Sequence, residues 1–151
     1  MVEIKERMIQ YFEMNESHIK SAINLWANTR GIDLTIGDSE DEIKKYLIRN
    51  TGFSFIGLDS EKNQLIGSIL CGHDGRRGFI YHLAVSEKYR NKQIAQELIA
   101  RSLEKLYKIG IKRCMVMVKE TNYKAQLFWS KNGWSQRNDL RMFSFDLMKN
   151  E

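Results

Sequence analysis

A short basic segment, Tyr89-Arg90-Asn91-Lys92-Gln93-Ile94-Ala95, holds the residue types most suited to chemistry in this chain. It follows an apolar run that ends at Val85 and precedes apolar residues at helical spacing. The first backbone N–H groups of a helix have no internal partners, and the helix dipole adds partial positive charge there. The segment therefore predicts an anion site, and phosphate is the expected ligand.

The elements that position this segment can be predicted from the periodicity of apolar residues. Apolar runs and alternation predict strands at residues 7–12, 53–58, 65–71, 79–85, 111–118 and 142–147. Helical spacing predicts helices that begin near Ser17, Ser39, Ile94 and Asn122. A strand–helix–strand crossover joins parallel strands, so strand 111–118 is expected to pair parallel to strand 79–85. Residues 32–38 have no clear period and predict a loop, the kind of segment in which acceptor specificity often lies.

Length and charge limit the classes of protein to consider. The 151 residues fit one domain spanning residues 1–151, and they contain no apolar run long enough to cross a membrane. The net charge of +5 suits a phosphate-rich ligand, but Lys and Arg are interleaved with Asp and Glu, which argues against a nucleic-acid-binding stripe. The first seven residues mix both charge signs and do not resemble a signal peptide, so we expect a cytoplasmic protein. The two cysteines lack the close spacing of a metal site, and no metal is expected.

Two linked motifs resemble those of the GNAT superfamily of acyl-CoA-dependent N-acyltransferases. The first runs from Leu83-Ala84-Val85 into Arg90-Asn91-Lys92-Gln93-Ile94-Ala95, and the second is Asn122-x-x-Ala125-x-x-Phe128-Trp129-x-Lys131-x-Gly133-Trp134. The resemblance spans nearly the whole chain. It implies an α/β (α+β) fold with a mixed, mainly antiparallel sheet of about six to seven strands and about four helices. It also implies a parallel strand pair that splays apart at the cofactor cleft.

The resemblance also implies roles for individual residues. The backbone of residues 91–95 and the Arg90 side chain would bind the pyrophosphate of coenzyme A. The strand residues Leu83, Ala84 and Val85 would lie along the pantetheine arm, with main-chain groups contributed by Leu83 and Val85. The resemblance assigns three residues of the later helical segment to the cofactor as well: Asn122, Phe128 and Trp129.

Three positions depart from the family pattern. Gln93 stands where the turn motif has its central glycine, and Asn91 stands where a glycine often follows the arginine. The Cβ of Gln93 is expected to crowd the phosphate, whereas asparagine tolerates left-handed geometry. Trp129 stands where many members have a tyrosine that protonates the leaving thiolate, and an indole cannot act as that acid.

The general base is open at this stage. Many members carry a carboxylate or histidine at the positions of Phe79 and Tyr81, which strand alternation places on one face, with His82 on the other. Tyr81 either orders a water that takes the amine proton or is a packed aromatic residue. Glu120 is either a base that acts through water or a solvated carboxylate at a strand end. His82 is expected to be a core or helix-covered histidine that faces away from the thioester.

The predicted function is transfer of an acetyl group from acetyl-CoA to a primary amine by direct nucleophilic attack. The acceptor would be a small molecule or a peptide, and a homodimer is one assembly compatible with the sequence. Gln93, Trp129 and the missing base keep an alternative open, a non-catalytic or weakly catalytic acyl-CoA-binding module. A small basic nucleic-acid-binding domain is a further alternative, which rests on the net charge alone.

Overall fold

The computed structural model describes residues 8–148, which divide into two compact units that adjoin in sequence at Met117 and Val118. The first unit contains a five-stranded sheet whose strands lie side by side in chain order. The strands are β1 (Ile9–Glu13), β2 (Phe55–Asp59), β3 (Gln64–His73), β4 (Gly78–Val85) and β5 (Cys114–Val116). Strands β1 to β4 pair antiparallel and β4 pairs parallel with β5, which confirms the predicted mixed, mainly antiparallel sheet.

Four α-helices accompany the strands. They are α1 (Ile19–Ala27), α2 (Glu40–Arg49) and α3 (Ile94–Lys108) in the first unit, and α4 (Tyr123–Lys131) in the second. Helix α2 begins near Ser39 as predicted, and the Ser39 side chain caps it by accepting a hydrogen bond from the Glu42 N–H at 3.2 Å. The predicted loop at residues 32–38 ends in a short 3-10 turn, Ile36–Asp38.

Helices cover both faces of the sheet, as adjacent residues of β3 show. The buried Ser68 Oγ accepts a hydrogen bond from the indole of Trp26 on α1 at 2.7 Å. Its neighbour Gly67 faces the opposite helix, where a Cβ would lie 3.3 Å from the side chains of Ile94 and Leu98 on α3. Because successive strand residues point to opposite faces, α1 and α3 lie on opposite sides of the sheet.

The sheet has fewer strands than the six to seven expected. The predicted strand at residues 142–147 is absent, and its apolar side chains are open to solvent, with Phe143 93% and Leu147 92% exposed. Alternation shows that a segment is compatible with a strand, but a strand also needs a hydrogen-bonding neighbour. The fifth strand is shorter than predicted, with Cys114–Val116 replacing residues 111–118. At the other end of the chain, Arg7 of the predicted first strand lies outside the described residues.

Residues 8–148 show neither a membrane-spanning helix nor a cluster of metal-binding side chains. No helix in this range is both long enough and apolar enough to cross a membrane. No group of three or more His, Cys, Asp and Glu side chains in the same range is placed to hold a metal ion.

Candidate functional site

The turn before α3 presents a row of free backbone donors. The first main-chain hydrogen bond of the helix runs from the Glu97 N–H to the Gln93 carbonyl at 3.1 Å. Within the described chain, no hydrogen bond is recorded for the N–H groups of residues 91–96. These groups are the unpartnered donors expected at a helix start, where an anion can be bound. The buried side chain of Ile94, 3% exposed, anchors the first turn of the helix.

The turn has left-handed backbone geometry at the two positions where the family motif favours glycine. Asn91 has φ 64° and Gln93 has φ 61°. Left-handed geometry is rare for residues with a Cβ, and asparagine adopts it more readily than glutamine. The chain thus retains the glycine-type turn conformation with Gln93 in it, at a cost in backbone strain.

Two basic side chains of the turn, Arg90 and Lys92, lie close to groups of the adjoining residues. The Arg90 Nε donates a hydrogen bond to the Val85 carbonyl at 3.2 Å, which ties the turn to the end of β4. The Lys92 ammonium lies 5.5 Å from the centroid of the Tyr89 ring. Both side chains are exposed, so the turn carries positive charge at the surface beside its free N–H groups.

Sequence reasoning missed the residue pair that holds this turn in place. The Tyr89 hydroxyl donates a hydrogen bond to the Asp59 carboxylate at the end of β2. The other carboxylate oxygen accepts the N–H groups of Glu61 and Lys62 at 3.0 and 3.2 Å. The hydrogen bond to Asp59 raises the pKa of Tyr89 to about 12, and the bond from Tyr89 lowers the pKa of Asp59. No local pattern indicates this pair, because its members are 30 positions apart in the chain.

The far end of β4 has one edge that β5 leaves unpaired. Pairing between the two strands ends at Ile80 and Val116, whereas β4 continues to Val85. The Ser86 N–H donates to the Ile66 carbonyl on β3 at 2.7 Å. Since main-chain groups alternate between the two edges of a strand, Leu83 and Val85 direct theirs away from β3. Ala84 pairs with Ser68 on β3 and its side chain is in the core, so it does not face the open edge.

A β-bulge at His82 makes the predicted alternation along β4 wrong. On β3, Ser68 pairs with Ala84 and Leu70 pairs with Tyr81. His82 and Leu83 together therefore oppose the single β3 residue that lies between Ser68 and Leu70. His82 takes up the extra residue with φ 48°. Its ring lies against Trp26 of α1, with the ring centroids 4.8 Å apart. His82 is thus covered by a helix as predicted, but it lies on the side of the sheet where Tyr81 packs.

Two aromatic rings surround Tyr81 on that side of the sheet. Phe79 is stacked 6.4 Å away, which confirms that the two residues share a face, and Tyr46 of α2 contacts Tyr81 edge-on at 6.3 Å. Burial raises the pKa of Tyr81 and, more strongly, that of Tyr46. The Tyr46 hydroxyl is buried without a hydrogen-bond partner among the described residues. These contacts favour the packed-aromatic interpretation of Tyr81.

The second unit contains the later motif. The Asn122 side chain caps α4 by accepting the Ala125 N–H at 3.1 Å. Trp129 is 8% exposed and packs edge-on against Trp134 at 4.7 Å and Phe128 at 5.4 Å. Glu120 is exposed and lies outside any strand, which favours the solvated carboxylate over the base.

Comparisons with known proteins agree with this geometry. Residues 19–134 match the model of the acetyltransferase (GNAT) family. An acetyltransferase of Photorhabdus laumondii is 28% identical over 107 residues, which cover 71% of this chain and 73% of that protein. An acetyltransferase of Yersinia pseudotuberculosis is 40% identical over 58 residues, 38% of this chain. That match covers only 41% of the Yersinia protein's length.

Solved structures share the fold at low sequence identity. A GNAT-family acetyltransferase of Staphylococcus aureus aligns with a TM-score of 0.75 and 20% identity over 88% of each chain. The enzyme AAC(6')-Iy, in complex with the bisubstrate analogue CoA-S-monomethyl-acetylneamine, aligns with a TM-score of 0.70 and 15% identity over 91% of this chain and 98% of that one. At these identities the likeness establishes the fold alone. The match of the family model over most of the chain establishes more, and this chain belongs to the GNAT family of acetyltransferases.

Proposed function

We propose that this protein transfers an acetyl group from acetyl-CoA to a primary amine. The observation that carries the proposal is the row of free N–H groups at residues 91–96, next to Arg90 and Lys92 at the start of α3. Coenzyme A carries a pyrophosphate, and a cluster of unpartnered amides with adjacent positive charge is the kind of site that binds one.

The open edge of β4 supports the same proposal. In this account Leu83 and Val85 offer main-chain groups to the amides of the pantetheine arm, which would pair with β4 as an added strand. One of these N–H groups would polarise the thioester carbonyl as the amine attacks. The resemblance alone assigns Ala84, Asn122, Phe128 and Trp129 to the cofactor.

The chemistry proposed is direct attack by a neutral amine. The amine nitrogen forms a bond to the acyl carbon, the carbon–sulfur bond breaks, and the amine proton is lost. A thiolate with a pKa near 8.5 leaves acceptably without an acid, so Trp129 in place of a tyrosine slows the step without preventing it. Water ordering by Tyr81 and a water-linked base at Glu120 stay sequence predictions, and the packing of Tyr81 and the exposure of Glu120 argue against both.

The acceptor proposed is a small molecule with a primary amine. AAC(6')-Iy was crystallised with an analogue that joins CoA to an acetylneamine, and other structures of this fold are aminoglycoside acetyltransferases. These neighbours support a small-molecule acceptor more than a peptide. The single domain over residues 1–151, the cytoplasmic location and the homodimer stay predictions.

The test is thiol release from acetyl-CoA by the purified protein, measured with kanamycin, spermidine, L-lysine and a peptide with a free N-terminus. We expect amine-dependent release of coenzyme A with at least one acceptor, and acetylated product in the mass spectrum. If coenzyme A binds but no amine in a broad panel is acetylated, the binding-module alternative replaces the enzyme. A gel shift with duplex and single-stranded DNA is expected to be negative.

Arg90→Glu tests the phosphate assignment separately from turnover. Reversing this charge beside the pyrophosphate should weaken coenzyme A binding by at least about tenfold, because a charge-assisted contact becomes a repulsion. Arg113→Glu makes the same change at an exposed position before β5 and serves as the matched control. Equal affinities of the two variants in calorimetric titration would contradict the assignment.

A further inference from the structure

We propose that His82 is the catalytic base that takes the amine proton, and that Asp38 is the residue that positions it. This inference rests on the proposed acetyl transfer and assigns the base that the sequence leaves open. The observation that motivates it is a half-buried histidine–carboxylate pair that joins the bulge in β4 to the loop between α1 and α2. The two residues are 44 positions apart in the chain, and no sequence pattern links them.

The hydrogen bond between the two side chains fixes which ring nitrogen is available. His82 Nε2 lies 2.7 Å from Asp38 Oδ1, and the side chains are 18% and 11% exposed. A carboxylate accepts hydrogen bonds and cannot donate them, so it selects the tautomer with hydrogen on Nε2. The lone pair then lies on Nδ1, for which no hydrogen bond is recorded in the described chain.

The surroundings hold this pair rigidly. Asp38 Oδ2 accepts the Thr35 N–H at 2.8 Å and lies 3.2 Å from the Thr35 hydroxyl, so the loop orients the carboxylate towards His82. The Trp26 ring packs against the imidazole and is itself fixed by its hydrogen bond to Ser68. Asp38 and Trp26 contact the imidazole ring, and of these Asp38 is charged whereas Trp26 does not titrate. The titratable neighbour of His82 along β4 is Tyr81.

The position of the bulge connects the pair to the reaction. His82 immediately precedes Leu83, whose main-chain groups face the open edge of β4. His82 has left-handed geometry at this point and is held by residues 32–38, the kind of loop in which acceptor specificity often lies. Such strain at a bulge marks a functional position more than a packing one. Imidazole is also the side chain best suited to accept a proton near neutral pH, whereas the phenol of Tyr81 is held protonated by burial.

The proton balance follows directly. As the amine nitrogen bonds to the acyl carbon, its proton passes to Nδ1 of His82 and an imidazolium forms against Asp38. The carbon–sulfur bond then breaks with its electron pair on sulfur. The imidazolium gives the proton to the thiolate, which regenerates neutral His82 and releases coenzyme A as the thiol.

His82→Asn is the main test, because asparagine accepts left-handed geometry and its amide cannot take up the amine proton. With the best acceptor from the amine panel, we expect kcat to fall by about 100-fold or more while coenzyme A affinity stays unchanged. The acidic limb of the pH profile of kcat/KM should become shallower, because the ionisation of the base is lost and that of the amine acceptor remains. Asp38→Asn should lower kcat by about 10-fold or more and keep that limb. His73→Asn removes a histidine outside the pair and should leave kcat unchanged.

His82→Gly gives a second, independent readout. Glycine adopts the positive φ freely and leaves a space beside Trp26, so added imidazole should restore part of the lost rate. A wild-type rate and pH profile in His82→Asn would overturn the assignment, as would an inactive His82→Gly variant that folds but is not rescued. If the wild-type protein acetylates no amine, the proposed function itself is wrong. If the wild-type protein is active and the His82 variants are equally active, only the assignment of His82 as the base is wrong.

Discussion

Replacing Gln93 by glycine should stabilise the protein, although glycine substitutions at most positions do the opposite. Gln93 has φ 61° and ψ 20°, and its side chain makes no capping hydrogen bond, so the change removes strain without losing a recorded contact. Left-handed geometry costs a residue with a Cβ about 1–2 kcal/mol. Glycine returns about 0.4–1 kcal/mol of this through greater freedom in the unfolded chain.

The midpoints of these two ranges leave a net gain of about 0.8 kcal/mol in stability for Gln93→Gly. For a chain of this size that corresponds to a rise of about 1–4 °C in Tm. Coenzyme A affinity should rise as well, because the phosphate can approach the backbone more closely without a Cβ. Thermal denaturation and calorimetric titration measure the two effects on the same protein sample.

Gln96→Gly is the matched control, since Gln96 is exposed on the same helix one turn later. There glycine should destabilise the protein by about 0.5–1 kcal/mol, the cost of glycine inside a helix. Gln93→Ala should leave Tm nearly unchanged, because alanine keeps the Cβ. If Gln93→Gly lowers Tm as Gln96→Gly does, the strain assigned to the turn is wrong.

Three further predictions concern the support of the turn and the core. Tyr89→Phe should weaken coenzyme A binding and lower Tm, because the turn loses its bond to Asp59; unchanged titrations would show that the turn holds its shape without it. The pKa of Asp59 is lowered in the folded protein, so its charged form favours the folded state. Asp59→Asn should therefore destabilise the protein above about pH 4, and the difference from the wild type should vanish as the pH falls through the lowered pKa. Urea unfolding at several pH values tests this, and a difference independent of pH would contradict it. Leu98→Ala should cost about 2–5 kcal/mol, because Leu98 is fully buried in the layer between α3 and the sheet. A loss well below that range would mean that this layer is loosely packed.

The sequence predicts this fold well wherever local signals determine it. The hairpin of β2 and β3, the N-cap at Ser39 and the parallel pair across α3 all follow from turn residues, capping residues and crossover rules. The motif comparison singled out Asn91 and Gln93, and the structure shows left-handed geometry at both positions.

The features that the sequence did not predict depend on contacts between distant residues. Alternation along β4 fails because a bulge adds one residue at His82, and a bulge has no signature when a histidine instead of a glycine occupies it. The pairs Tyr89–Asp59 and His82–Asp38 exist because the sheet brings distant segments together. The predicted strand at residues 142–147 is absent because alternation does not supply a pairing partner.

We expect the turn at residues 90–96 to bind the pyrophosphate of coenzyme A. A crystal structure of the protein with coenzyme A bound would show this contact directly. We expect phosphate oxygens within hydrogen-bonding distance of several N–H groups of residues 91–96, with the Arg90 guanidinium beside them and the pantetheine arm along Leu83 and Val85. A cofactor bound with its pyrophosphate elsewhere, leaving these N–H groups to solvent, would contradict the account.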